Sequence, residues 1–304
     1  MKIKTVFLIT AAIVLSFALF SCAALMKVTE VGAQIANAAG VIDNNTASAI
    51  SNSSKAIGSA AEEITPQQEY FIGRAVAGNI LTTYKLYNGN PALTAYLNNI
   101  CASIVINSPR PDIYNGYHVA ILDSNEINAF ATSGGHILIT RGLINAAASE
   151  DALAGVIAHE IAHIQLQHSI KAIKTSRITQ ALAVTGTSAV GAATGMNVNQ
   201  LTDVFNESVG EIVQTMVSNG FSQTQEFDAD TKALSLMASA GYNPQGLLDM
   251  LNQLKAIQSN TAGGFNKTHP SPDQRITNAS KSVGKYKVTD NSASRKARFS
   301  AVVK

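Results

Sequence analysis

The chain has 304 residues, 46% of them hydrophobic, with 22 basic and 20 acidic side chains for a net charge of +2. That length suffices for one globular domain with a real core plus flanking segments, and the near balance of charge points to no nucleic-acid partner. Only Cys22 and Cys101 are present, which excludes a disulfide framework as the support of the fold.

At the N-terminus, Lys2 and Lys4 precede an apolar run from Val6 to Phe20. The run is short for a membrane span of about 20 residues and fits a secretory signal. Leu19-Phe20-Ser21-Cys22 resembles a lipobox, so residues 1–21 read as a lipoprotein-type signal peptide and Cys22 as an acylated mature N-terminus. Phe20 departs from the small or branched residue usual there, and the alternative is an uncleaved signal anchor. Either arrangement exports the chain and holds it at a membrane; a multiply acylated terminus holds firmly, a single chain only marginally. Residues 22–63 are rich in Ala, Ser and Asn without a strong core stripe and read as a tether or loose helices.

The domain proper is expected from Ile64, where Thr65-Pro66-Gln67-Gln68-Glu69 has the form of a helix start. Cys101, between Ile100 and Ile104, fits a buried small apolar residue. His118 opens the apolar run Val119 to Leu122 as a strand-end residue. Gly134 to Thr140 alternates like a strand, with Ile137 and Ile139 on one face and His136 and Leu138 on the other. If its edge is open above a cleft, an extended peptide can add to it as a strand, which makes Gly135, His136 and Ile137 candidate substrate-binding residues.

Ser149 is an N-cap candidate, with Glu150 and Asp151 complementing the dipole in the first turn of a helix. That helix carries His159-Glu160-Ile161-Ala162-His163. At about 100° per residue the two imidazoles lie about 40° apart on one face, so both reach a single ion. Glu160 sits beside them to take a proton from metal-activated water. Leu153, Ile157, Ile161 and Ile164 form an apolar stripe on another face, so one face is expected to pack on a core while the other faces a cleft. A core helix with two incidental histidines would give no reason to bury His159, Glu160 and His163 together. His168 lies nine residues after His159, which on a continuing helix turns it to the opposite side, as a structural or surface residue.

Residues 175–221 form an insertion whose first part, Ile178 to Met196, is rich in Ala, Gly and Thr. Its polar and glycine positions argue against a membrane span. A helical hairpin over the cleft, continuing through Leu201 to Val217 as an amphipathic helix, would gate access; packing against the core or a membrane surface fits the pattern equally. Ser222-Gln223-Thr224-Gln225 then reads as a capping box opening a second helix, with Gly241 and Asn243-Pro244 as stops. Glu226 and Asp230 are four apart in its first turns. They are either an acidic first turn favoured by the helix dipole or the third zinc ligand with an acceptor for the second N–H of a ligating histidine, His159. His269 lies in a proline-punctuated loop with Arg275 one short turn on. The tail, residues 285–304, is polar and basic and reads as a strand or a disordered segment.

Taken together, His-Glu-x-x-His and Glu226-Phe227-Asp228-Ala229-Asp230 resemble the gluzincin metallopeptidases of the HtpX and CaaX prenyl protease 1 type, and among them the bacterial lipoprotein members. Asn128 to Ala131, Gly134 to Ile137, Thr140 to Leu143, Gly241 to Pro244, and His269 to Pro272 with Arg275 match the same pattern. The resemblance spans about Ile64 to Ser280. It implies one Zn2+ held by His159, His163 and Glu226, with Glu160 as general base and a cut peptide bond as product. It also brings His269 and Arg275 to the metal as catalytic residues, His269 stabilising the oxyanion or capping the zinc at rest, against a plain loop role. The expected fold is a mostly helical α+β zincin-like metallopeptidase domain, residues 64–284, with a small sheet, roughly His118 to Thr140, beside the active-site helix. The expected function is zinc-dependent endopeptidase action on misfolded or unassembled proteins of the bacterial cell envelope, at the outer membrane facing the periplasm. The rival is an assembly factor that holds unfolded polypeptides in the same cleft, with envelope assembly machinery as a partner.

Overall fold

A computed structural model describes residues 64–171, 212–258, 271–287 and 291–303, with 209–210, 268–269 and short pieces between 31 and 48. The chain divides into two compact units, residues 1–63 with 173–203 and residues 64–172 with 204–304. In the first, residues 34–38 are helical and Asn37 Nδ2 donates to Asn44 Oδ1 at 2.7 Å. Cys22, most of the 22–63 tether and residues 175–208 of the insertion, including the expected hairpin, lie outside the described residues. No helix among the described residues is long and apolar enough to cross a membrane.

The second unit opens on α1, Pro66–Thr83, where Thr65 and Gln68 satisfy each other's backbone N–H groups in a capping box and proline takes the first turn. Helix α2, Pro91–Ile106, is capped by Asn90 and buries Leu93, Leu97, Ile100, Cys101 and Ile104. Three short strands follow: β1 His118–Leu122, β2 Ala129–Thr132 and β3 His136–Thr140. Their order is β1-β3-β2, with β3 parallel to β1 and antiparallel to β2.

That order overturns the expected open edge along Gly134 to Thr140. Strand β3 is central, with both sides hydrogen-bonded, and Leu138 on one face is buried like Ile137 and Ile139 on the other. The outer side of β1 is partly closed as well, since Leu86 bridges Leu122 and Tyr87 N donates to Ile121 O at 2.8 Å. Among the described residues β2 pairs with β3 alone, and all four of its residues are buried. The β2–β3 turn needs its glycines: Gly135 has φ +95°, and a Cβ there would lie 2.1 Å from the Gly116 carbonyl oxygen.

After α3, Arg141–Ala146, the chain enters α4, Glu150–Gln165, capped by Ser149 Oγ accepting from Ala152 N at 3.1 Å. Leu153, Ile157, Ile161 and Ile164 are buried, each contributing roughly 1.5–3 kcal/mol by leaving water. The rest of the helix is buried too: every residue from Ala152 to Ile164 is enclosed. The expected split into a core face and a cleft face gives way to a central helix, because α5, Gln223–Ser239, covers the histidine side and α6, Gln245–Gln258, covers another. Gly155 lets α6 approach closely, since a Cβ there would stand 2.9 Å from Leu247 Cα.

A π-helical turn, Thr215–Asn219, precedes α5 where an amphipathic helix was expected to end. Helix α7, Pro272–Val283, packs on α5 and α6. The polar basic tail forms neither a strand nor a disordered segment over its described part. It forms α8, Ser292–Val302, which docks on α4 and α2. Its two arginines pair with the acids at the start of α4: Arg295 Nε donates to Asp151 Oδ2 at 2.9 Å and Arg298 Nε to Glu150 Oε2 at 3.0 Å.

Candidate metal centre

Helical periodicity on α4 puts the His159 and His163 rings side by side, with Nε2 atoms 3.0 Å apart. Across from them, the capping box of Ser222 and Gln225 sets the start of α5, so that Glu226 falls in its first turn and faces the histidines. Glu226 Oε2 is 3.5 Å from His159 Nε2 and Oε1 is 3.4 Å from His163 Nε2. Four donors at 2.0–2.2 Å around a tetrahedral ion stand about 3.3 Å from one another. The three residues therefore fit a single ion, and with His269 they form a buried group whose ligand atoms all lie within 4.8 Å.

His269 Nδ1 sits 2.9 and 2.8 Å from the two Glu226 oxygens. Its neighbour Thr268 donates through Oγ1 to Asn128 Oδ1 at 3.2 Å, which fastens the loop to the foot of β2. Glu160 is 2% exposed, and its Oε1 has no hydrogen-bond partner among the described residues. A buried carboxylate oxygen without a partner is costly, and burial raises the Glu160 pKa. The arrangement suits a group that takes up a proton.

Behind the ligand atoms, His159 Nδ1 lies 3.0 Å from Asp230 Oδ1. Arg275 donates to Asp230 through Nε at 2.8 Å and Nη2 at 2.6 Å, and its Nη1 stands 3.3 Å from Glu226 Oε2. Arg275 reads in the sequence as a catalytic residue; in the structure it grips the two carboxylates and is a positioning residue. Burial would raise Glu226, but His269 and Arg275 outweigh it and hold the carboxyl well below its usual range. Asp230 shows the same contest between burial and Arg275 and settles at about 2. Burial drives His163 down to about 3, while His159, pushed down by burial and Arg275, is lifted to about 9 by its hydrogen bonds to Asp230 and Glu226. The ionised Glu226 carboxylate beside a neutral His163 suits a divalent cation, with Asp230 held behind them against His159 and Arg275.

His168 is the residue that sequence reasoning misplaced. It is 3% exposed, and its Nδ1 lies 2.9 Å from His163 Nδ1. The opposite-side argument fails because α4 stops at Gln165 and Gln167 adopts φ +55°, which turns the following residues back beneath the helix. A non-glycine residue there costs about 1–2 kcal/mol. The turn is held by the Gln167 side-chain amide, which donates to Glu69, itself paired with Arg110 at 2.8 Å. Neither glycine nor asparagine marks the break, so local sequence gives no signal of it. Phe221 walls the pair, stacked on His163 with centroids 4.4 Å apart.

The three substrate-binding candidates on β3 are not gathered here. Gly135 serves the hairpin turn, the His136 ring stacks on Tyr70 at 5.3 Å, and Ile137 is fully buried in the core. Their assignment rested on an edge that β3 does not have.

A His-Glu-x-x-His helix, with a glutamate from a later helix between its two imidazoles and a small sheet alongside, defines the metallopeptidase class. The family model of peptidase family M48 matches residues 91–283, more than half of the chain, and the protein belongs to that family. It is 28% identical over 229 residues to the beta-barrel assembly-enhancing protease of Escherichia coli K12, covering 73% of this chain and 45% of that protein. It is 28% identical over 152 residues to metalloprotease LoiP of the same strain, covering 50% of this chain and 57% of LoiP. With the mitochondrial metalloendopeptidase OMA1 of Schizosaccharomyces pombe it shares 29% identity over 185 residues, 60% of this chain and 51% of OMA1. The chain thus spans about half the length of these curated relatives.

Proposed function

We propose that this protein is a zinc-dependent endopeptidase in which His159, His163 and Glu226 hold the ion and Glu160 is the general base. The observation that carries the reading is the convergence of His159 Nε2, His163 Nε2 and the Glu226 carboxylate beside a buried, partnerless Glu160 oxygen. Zinc, when bound, polarises the scissile carbonyl and acidifies the attacking water. Glu160 accepts the water proton and delivers it to the leaving amine nitrogen. Asp230 accepts the Nδ1–H of His159 and thereby keeps Nε2 free as a ligand atom, while Arg275 fixes Asp230 and Glu226 in place. His269, with Nδ1 beside both Glu226 oxygens, would serve either as a fourth donor to the ion or as a partner to the oxyanion.

Substrate addition moves from β3 to β2. In the antiparallel register Asn128, Phe130 and Thr132 hydrogen-bond to β3, so the main-chain groups of Ala129 and Ala131, both buried, face the side with no strand partner among the described residues. An extended peptide paired there is read mainly through its backbone, which suits unfolded segments of many sequences. The substrates we infer are misfolded or unassembled envelope proteins, reached from a membrane anchor at Cys22 on the periplasmic side of the outer membrane. The name of the beta-barrel assembly-enhancing protease supports that setting, and it favours envelope assembly machinery as a partner.

The test is zinc per chain together with casein cleavage by wild type and Glu160→Gln. One zinc, with cleavage reduced about 10²–10⁴-fold in the variant, is expected for loss of a general base. Absence of zinc would overturn the metal assignment. Zinc without Glu160-dependent cleavage would favour the holding role, as would full rescue of a null strain by Glu160→Gln.

A further inference from the structure

We propose that His168 is the positioning residue of the second histidine ligand: its Nδ1 accepts the Nδ1–H of His163 and so aims His163 Nε2 at the ion. The inference rests on the reading of His163 as a zinc ligand. A histidine that binds through Nε2 carries its proton on Nδ1, and that N–H is ordinarily held by an outer acceptor which fixes tautomer and ring orientation. For His159 the acceptor is Asp230 Oδ1 at 3.0 Å. For His163 the group at the corresponding place is His168 Nδ1, at 2.9 Å.

A hydrogen bond between two ring nitrogens needs one donor and one acceptor. With His163 Nε2 read as the ligand atom, turned toward His159 Nε2 at 3.0 Å and Glu226 Oε1 at 3.4 Å, the ring proton sits on Nδ1, which is then the donor to His168. His168 therefore carries its own proton on Nε2. The two ligands are steadied by unlike partners, His159 by an ionised carboxylate and His163 by an imidazole that orients without adding negative charge.

The surrounding backbone is committed to this contact. On an uninterrupted helix, a residue five positions after His163 points about 140° away from it. The left-handed Gln167 removes that separation. Bonds from Gln167 to Glu69 and from Arg110 to both Glu69 and the Ile164 carbonyl tie the turn to α1. Phe221, against both rings, closes the remaining side. Strained backbone held this firmly is what a fixed donor–acceptor pair requires.

The experiment compares the full-length chain in detergent with His168→Phe, which keeps a planar ring without an acceptor, and His168→Gln, which restores one. Zinc affinity is read by competition with a chromophoric chelator, and the Tm of each metal-free protein is measured alongside. The expected result is a zinc Kd raised about 10–100-fold in His168→Phe and returned most of the way to wild type in His168→Gln, with metal-free Tm values within roughly 3 °C of one another. Unchanged affinity in His168→Phe would overturn the proposal, as would a metal-free Tm that falls with affinity and is not restored by Gln. Nitrogen-15 histidine spectra of the zinc-loaded wild type supply a readout that needs no variant. They should place the His163 proton on Nδ1 and the His168 proton on Nε2, and a proton on His168 Nδ1 would overturn the proposal. Wild type that binds no zinc would overturn the metal-centre reading itself.

Discussion

Arg275 and Asp230 are 1% and 0% exposed and meet through two hydrogen bonds. Neutralising one partner of such a buried pair costs about 3–5 kcal/mol, because the other charge stays out of water. Asp230→Asn is expected to lower the metal-free stability by roughly that amount in denaturant unfolding; a change below about 1 kcal/mol would mean that the pair is solvated. Cys101 belongs to the same scale. At 1% exposure and with its thiol pushed up to about 12 by burial, it should resist alkylation at pH 8 in the native chain and react once the chain is unfolded. Peptide-resolved mass spectrometry decides this, and native labelling of Cys101 would contradict the packing of α2. Both residues show how sequence tells on single side chains. Cys101 was legible from its apolar neighbours, whereas the use of Arg275 depended on which carboxylates the fold brought to it.

At the level of elements, the N-terminus of α4 is stabilised twice. Its acids complement the helix dipole, and α8 pairs each of them with an arginine, Asp151 with Arg295 and Glu150 with Arg298. Arg298 is half exposed, which screens its pair, while Arg295 is 5% exposed and also donates to the Gly241 carbonyl at 3.2 Å. Arg295→Ala should therefore cost more than Arg298→Ala, about 3 kcal/mol against about 1. Thermal unfolding of the two variants checks the order, and the reverse order would show that α8 does not clamp α4. The family match ends at residue 283, so the α8 half of this clamp lies beyond the matched part. The β2 edge makes a separate claim. Peptides with proline at the positions that would pair with Ala129 and Ala131 lose a main-chain donor and should resist cleavage. Cleavage that tolerates proline at every position would exclude strand addition.

For the molecule as a whole, a metal held by α4 and α5 would tie the two most extensively packed helices together. Ligand binding to the native state alone adds about 4 kcal/mol at a thousandfold excess over Kd. Chelation should thus lower Tm by roughly 10 °C in a chain of this size, reversibly on return of zinc; a Tm indifferent to chelator would detach the metal from the fold. Much of this architecture was legible beforehand. The caps Thr65, Ser149 and Ser222, the His159–His163 spacing and the Glu226–Asp230 pair are local patterns, and backbone geometry alone fixes their faces and ends. Residues far apart in sequence were not. That β3 lies between β1 and β2, that α8 covers the start of α4, and that His168 turns back onto His163 each depend on contacts between elements, to which no local periodicity responds. The sequence by itself determined that His159 and His163 share one face of a helix and that Glu226 and Asp230 share one face of another, because helical spacing dictates which side chains stand together. Only the tertiary structure decided which strand lacks a second partner and which groups stand behind His159 and His163, because burial and pairing are settled by packing between elements.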